Sequence, residues 1–509
     1  LNILEARSAK WVALALFLLT LITRIPFASQ TLYHWDSVNM AIGMQAYNVV
    51  EGAPQYPGYI VYIALAQIVD MVFHNPQTTM VVISVVSSGL SVVAMFYLGR
   101  SLFSPITGLI AALFLLTSPL FWFYGEIALP HALDLFAITF SAWMLYRIME
   151  GDTRWLWPTI VFLGLLGGFR QQDLMFLGPL ILFTCYRIGI VRLGLAAVLG
   201  AIITLAWLIP TLAYSGGLQS YMAGSAAFTE SFWRTTSIFL GAGTFGLRRN
   251  IIEKLIPYTL YGWSLALLPA LYGFARLPAD GRRWLRSRKT WFFILWLIPV
   301  LLFYALIHMG QQGLVFVFLP ALFVLSAEGL RRLFASRPVL LRAATAIIVL
   351  AGAVVFIFVP TQPLGAGRGP KLLTYDTLRQ QDARMSNEIA TVRANFQPEN
   401  TVILAANWRH AQFYLPDYRL FRYTLGAKFE VTEGQPTHVD FVNQPVSAAD
   451  LGFSGDQEWN VVLLDLELES FASSDLTAVS GANGFEMKVL KVAPGQTYFT
   501  DGQTFGVQD

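Results

Sequence analysis

One acidic side chain, Asp36, stands in the run His34–Tyr59, HWDSVNMAIGMQAYNVVEGAPQYPGY, directly after the first apolar segment. A carboxylate at the edge of a bilayer can take a proton from a hydroxyl that meets it there. Two more acids, Glu126 and Asp134, flank the outer end of another apolar run in YGEIALPHALDLF. Their spacing of eight predicts one helix face with two turns between them. A charge such as Asp134 within an apolar run costs about 2.5–3.5 kcal/mol or more, which makes it a functional candidate. The cations Arg170, in GGFRQQD, and Arg248, Arg249 and Lys254 suit an anion. The guanidinium fork matches phosphate oxygens bidentately. His308, Gln311 and Gln312, at a tight turn, offer hydrogen bonds to a sugar or phosphate.

Each of these residues also has an ordinary reading. Asp36 and Ser37 suit the cap of a helix beginning at Val38. Asp134 suits an ion pair with His131 or with a basic residue of a neighbouring span. The arginines suit lipid-headgroup anchors, and His308 a solvated turn. Tyr33, Trp35 and Tyr47 fit a membrane interface or the wall of a sugar pocket.

The elements that must position these residues are membrane helices. Of 509 residues, 55% are hydrophobic and 13% charged, against about a quarter charged in soluble domains. A net charge of +3 gives no sign of a nucleic-acid partner. One cysteine, Cys185, excludes an intrachain disulfide, and the six histidines show no metal-ligand spacing. Apolar runs of roughly twenty residues fall near 8–25, 78–98, 105–124, 127–147, 155–170, 172–188, 190–213, 255–276, 291–308, 313–330 and 340–359, predicting about eleven transmembrane helices. The first reads as a retained anchor, because Arg24-Ile-Pro follows it without a small-residue cleavage site. The shorter run 59–73 reads as a twelfth span or as a helix lying in the outer interface.

Charge decides between those two readings. If 59–73 does not cross, the basic clusters Arg276–Lys289 and Arg331–Arg342, with Arg100, Arg147 and Arg154, fall on the cytoplasmic side. The amino terminus is then cytoplasmic and the carboxyl terminus extracytoplasmic, in a multi-pass protein of the cytoplasmic membrane. The outer segments bring Asp36, Glu126, Asp134, Arg170, Arg248, Arg249 and His308 to one side. After Pro360 the composition shifts through the linker TQPLGAGRGP to a polar helical stretch, 375–395, and strand-like runs at 401–405, 418–423 and 461–465. The predicted fold is mainly α: a transmembrane domain over 1–360, with juxtamembrane helices in a first outer loop at 26–77. A small α/β extracytoplasmic domain covers 361–509.

In order and sidedness these segments resemble the C-type glycosyltransferase superfamily, in the group of the protein O-mannosyltransferases and lipid A aminoarabinose transferases. HWDSVNMA resembles the motif with the essential Asp of the first outer loop, and Pro54-Gln-Tyr-Pro-Gly-Tyr59 resembles its Pro-Pro-Gly-Tyr-like element. YGEIALPHALDLF resembles the second acidic segment, with either Glu126 or Asp134 in that role. HMGQQGLVFVFLPAL resembles the late Arg-Tyr-x-x-x-x-x-x-Pro segment, with Gln311 and Gln312 where Arg and Tyr are common. The resemblance spans about residues 10–360. It implies inverting transfer of a sugar from a polyprenyl-phosphate donor to an acceptor hydroxyl on a glycan, lipid or protein, with Asp36 as general base. Arg170, or Arg248 with Arg249, then holds the leaving phosphate, and Tyr56, Tyr59, Glu126, Asp134, His308 and Gln311 line the substrate. The residues themselves predict no cofactor and no obligatory metal, since the chain has no Gly-rich phosphate loop, no H-E-x-x-H and no Cys pair, and the first outer loop has no DxD pair.

Three other readings fit the same pattern of spans. A secondary transporter usually shows paired halves and interrupted helices, and no internal symmetry is visible here. An oligosaccharide polymerase or ligase using a diphosphate-linked lipid shares most of these features. A non-catalytic scaffold would tolerate neutral substitution of the acids near the membrane.

Overall fold

The computed structural model describes residues 6–273, 275, 285–365, 367–405, 407–424, 430–432, 435–437, 444–447, 457–464, 476–481, 484–494, 497–500 and 504–507. The chain forms two compact units, one of Leu1–Gln30 with Gly43–Leu378 and one of Thr31–Ile42 with Arg379–Asp509.

The first unit is helical. Six of its described helices are long and apolar enough to cross a membrane: Ser8–Phe27, Pro76–Leu102, His131–Met149, Ile190–Tyr214, Arg288–Leu306 and Pro338–Phe358. Other apolar runs are divided into shorter helices. The run 105–124 breaks into Pro105–Leu116 and Pro119–Tyr124. The runs 155–170 and 172–188 form the helices Leu156–Phe169 and Gln171–Cys185, which meet at Arg170. Ile60–Phe73 has 14 residues; at 1.5 Å per residue it is about 21 Å long, short of the roughly 30 Å hydrocarbon core.

Local chemistry fixes where helices start. Asn75-Pro76, Ser104-Pro105 and Ser118-Pro119 each place a polar cap before a proline. The cap oxygens accept from Thr78 N, Thr107 N and Phe121 N, and the proline occupies a position whose N–H has no helical partner. Small residues then let the helices approach. A Cβ on Gly99 would lie 2.8 Å from Gly108 Cα, so Pro76–Leu102 and Pro105–Leu116 meet backbone to backbone. On the same long helix, Ser84 and Ser91 donate to the carbonyls of Leu129 and Ala132 at 3.0 and 3.2 Å.

One end of this unit is basic. Lys289 Nζ donates to the terminal carbonyl of Leu102 at 2.5 Å, and Arg288 Nη2 to that of Met149 at 3.0 Å. Both cations meet the negative end of a helix dipole. Arg331 and Arg332 pair with Glu328, which also accepts from Thr107 Oγ1. Hydrogen bonds from Arg154 and Arg147 hold the Asp152 carboxyl down at about 2. Of the basic run Arg276–Lys289, residues 276–284 lie outside the described residues.

The second unit carries a six-stranded sheet in the order Thr504–Val507, Arg419–Thr424, Thr401–Ala405, Trp459–Leu463, Glu486–Val492, Leu476–Ser480. The central strand, TVILA, is parallel to both neighbours and buried throughout, as a continuous apolar run should be. Val392, Phe396, Ile403, Ala411, Val462 and Val489 share its core. Of the strand expected at 461–465, Asp465 lies outside the described residues.

Candidate functional site

Asp36 belongs to the second unit. Its helix is Trp35–Gln45, so the start lies three residues before the expected Val38 and Asp36 sits within the first turn. The backbone dictates this: His34 O already accepts from Ser37 N and Val38 N at 2.9 and 3.3 Å. Asp36 N–H donates to His34 Nδ1 at 3.1 Å. Because that nitrogen accepts there, its 3.6 Å approach to Asp36 Oδ2 is a contact and not a donated hydrogen bond. The Asp36 side chain keeps 24% of its surface exposed. Val38 and Ala41 are buried.

Glu126, Asp134 and Arg170 lie in the first unit. Glu126 and Asp134 do not share a helix face, because helix Pro119–Tyr124 ends at Gly125 and the next begins at His131, after Pro130. Proline has no N–H with which to continue the ladder. The two acids accordingly find different partners. Glu126 Oε1 lies 3.9 Å from Arg24 Nε, both side chains fully buried. Arg24 also donates to Leu116 O at 2.7 Å and lies over the Trp122 ring at 4.4 Å. Asp134 Oδ2 accepts from Arg170 Nη1 at 2.6 Å, the basic residue of a neighbouring helix. Asp173, also fully buried, stands beside Asp134 and Arg170, with Tyr59 and Tyr304 completing the surroundings of that guanidinium.

The turn 308–313 packs against this end of the unit. Gln311 Oε1 meets His131 Nε2 at 3.0 Å, and Gly313 lies so close to the His131 ring that a Cβ would sit 2.6 Å from it. His308 Nδ1 meets Thr236 Oγ1 at 3.1 Å. Burial, then repulsion from Arg249 and Lys254, pushes His308 down to about 4, so the ring is neutral near pH 7.

Arg249 and Lys254 lie on the wide-turned helix Arg249–Leu255, whose i→i+5 bonds are a rare geometry frequent at functional sites. Arg249 Nη1 donates to Asn250 Oδ1 and Met309 O at 3.1 and 3.2 Å. Lys254 Nζ lies 5.4 Å from the Tyr258 ring centroid. Among the described residues neither cation lies within ion-pair distance of a carboxylate, Glu253 being taken by Arg248 at 3.2 Å. Arg248 itself is mostly exposed.

Tyr56 and Tyr59 follow from the Gly/Pro-rich exit of the first outer loop. Gly58 has φ +106, and a Cβ there would lie 2.6 Å from Tyr47 Oη. Tyr59 itself is left-handed, at φ 44. Tyr56 packs on Tyr221 and Phe228 with centroids 5.4 and 5.6 Å away. Tyr221 Oη returns a hydrogen bond to Pro57 O at 3.0 Å.

The residue pattern had not singled out Arg24, Asp173, Asn250 or Tyr304. A cation closing an outer span end and an acid three residues after Arg170 were the available signals. Asn250 carried none; it is fully buried and ties Thr236 O to Ala305 O and Met309 N. Among the described residues no three or more His, Cys, Asp or Glu side chains gather as metal ligands.

Residues 57–214 match the family described as dolichyl-phosphate-mannose-protein mannosyltransferase. No curated protein matches the chain in sequence. Among solved structures it is similar to ArnT from Cupriavidus metallidurans in the apo state, at TM-score 0.62 and 15% identity over 96% of this chain and 98% of that one. ArnT bound to undecaprenyl phosphate gives 0.57 at 15% identity, over 95% and 97%. The Archaeoglobus fulgidus oligosaccharyltransferase in complex with Zn and sulfate gives 0.51 at 13% identity, over 97% and 75%. The structural likeness shows the fold, and the family match covers residues 57–214, under a third of the chain. Together with the six long apolar helices, that fold is the fold of a polytopic membrane protein.

Proposed function

We propose that this protein is a membrane glycosyltransferase that moves a sugar from a polyprenyl-phosphate donor to an acceptor hydroxyl on the extracytoplasmic face, inverting the anomeric carbon. Asp36 takes the acceptor's proton as its oxygen bonds to that carbon. The bond from carbon to phosphate oxygen breaks, and its electron pair leaves on the phosphate. Negative charge grows there, so a fixed cation lowers the barrier.

The observation that carries this reading is the pair Arg249 and Lys254, two cations beside a neutral His308 and neither within ion-pair distance of a carboxylate among the described residues. Arg170 has Asp134 at 2.6 Å and Asp173 beside it, so it organises the protein more than it clamps an anion. The phosphate role therefore passes to Arg249 and Lys254, with His308 and Gln311 donating hydrogen bonds nearby. Tyr56 and Tyr59 face the substrate from the first outer loop. The ArnT structure with undecaprenyl phosphate supports a lipid-phosphate donor by analogy. The gathering of Arg147, Arg154, Arg288 and Lys289 at the opposite end supports a cytoplasmic amino terminus, about eleven crossings and an extracytoplasmic carboxyl-terminal domain in the cytoplasmic membrane. The acceptor is a glycan, lipid or protein hydroxyl.

The test uses purified protein and an undecaprenyl-phosphate sugar, with release of undecaprenyl phosphate as the readout. Arg249→Ala and Lys254→Ala should each lower kcat/KM for the donor about 10–100-fold, the range for one hydrogen bond to a charged group. Unchanged donor kinetics in both would overturn the clamp. Turnover is also expected to survive EDTA. A loss that Mg²⁺ or Mn²⁺ restores would establish a metal requirement.

A further inference from the structure

Residues 31–34, just before the Asp36 helix, have no regular secondary structure. Their backbone groups are nevertheless taken up by side chains from the far end of the sequence. Asp382 Oδ1 accepts from both Thr31 N and Thr31 Oγ1, at 2.9 and 2.6 Å. Tyr414 Oη accepts from Leu32 N at 2.8 Å. His410 Nε2 lies 3.0 Å from Leu32 O, so that nitrogen carries the proton and donates. Leu32 is fully buried, and the Trp35 ring meets Trp408 edge-on at 5.2 Å. All of these groups belong to the same compact unit.

We infer that Asp382, His410 and Tyr414 are positioning residues that fix the backbone of residues 31–35 and, through it, the place of Asp36. The inference rests on the reading of Asp36 as the base. His410 and Tyr414 stand four apart on the helix Trp408–Tyr414, so one face of a short helix holds both the N–H and the C=O of Leu32. Beyond Leu32 only Tyr33 and His34 precede the helix Trp35–Gln45. Asp36 is thus held from behind by its own helix and from ahead by the clamp. The Tyr414 ring also packs against the apolar core of Val392, Ile403, Val462 and Val489, so the hydroxyl must be removed without the ring to isolate its hydrogen bond. The contribution of these bonds falls on geometry, and a displacement of about 1 Å at a reacting group can cost on the order of 10²-fold in rate.

The experiment compares Tyr414→Phe, Asp382→Ala, His410→Ala and His410→Gln in the full-length protein, with Asp36→Asn alongside. Readouts are kcat, donor KM and the melting temperature in detergent. Tyr414→Phe keeps the ring and removes only the acceptor for Leu32 N. It and Asp382→Ala should each lower kcat about tenfold or more, with donor KM within about threefold and melting unchanged. His410→Gln, whose amide can donate to Leu32 O, should recover most of what His410→Ala loses. Wild-type kcat in folded Tyr414→Phe and Asp382→Ala, beside an inactive Asp36→Asn, would overturn the positioning role alone. Rate losses that track lost folded protein would do the same. An active Asp36→Asn would remove the base, and this inference with it.

Discussion

Asp36→Asn is expected to reduce transfer by at least 10²–10⁴-fold, the usual contribution of a general base, while leaving donor KM within about threefold. The substitution keeps size and shape while removing the negative charge and the carboxylate oxygen that would accept the proton. Its structural cost is small. Asp36 lies in the first turn of Trp35–Gln45, where losing a carboxylate's interaction with the helix dipole costs about 0.3–1 kcal/mol, too little to unfold the unit. A partly exposed side chain also leaves no buried charge behind when it is neutralised. Loss of rate and loss of fold are therefore separable, and melting in detergent separates them. Asp36→Glu, with one more methylene, keeps the charge and shifts the carboxylate by more than an ångström, so intermediate activity is expected. Turnover near wild type in Asp36→Asn would remove Asp36 as the base.

Much of what depends on local pattern was legible in the sequence. Apolar runs of membrane length became helices, because a backbone in hydrocarbon must satisfy its own hydrogen bonds. Thr401–Ala405 became a buried parallel strand, because TVILA has no polar face to offer water. Two local readings missed by a few residues. The Asp36 helix begins at Trp35, because His34 supplies the first accepting carbonyl. Glu126 and Asp134 part company at Pro130, a breaker that the apolar periodicity ran straight through.

Pairings across the chain were not legible. Arg24 meets Glu126 at a separation of about a hundred residues, and Thr31 meets Asp382 at 351. Spacing within a helix carries no information about either. That is why the first outer loop looked like one segment, although Thr31–Ile42 packs in the same unit as Arg379–Asp509. It is also why Arg170 and Arg249 read as equivalent cations. Only the carboxylates beside them tell the two apart.

That difference sets the second large effect. Arg170→Met should destabilise the protein by about 3–5 kcal/mol, because it leaves Asp134 and Asp173 buried side by side with their shared counter-charge gone. The desolvation already imposed on both carboxylates is then uncompensated, and a methionine of similar length cannot donate to either. Neutralising the acids as well should reverse most of the loss. In the triple variant Arg170→Met, Asp134→Asn, Asp173→Asn no charge remains to be desolvated, and buried ion pairs replaced as a set are often neutral in stability. Thermal inactivation in detergent reads both variants, with donor kinetics measured on whatever remains folded. If Arg170 were the phosphate clamp, the single variant would keep its stability and lose donor affinity, and the triple variant would not recover. Recovery of stability in the triple variant, with donor KM near wild type, would place Arg170 in the architecture and leave the anion to Arg249 and Lys254.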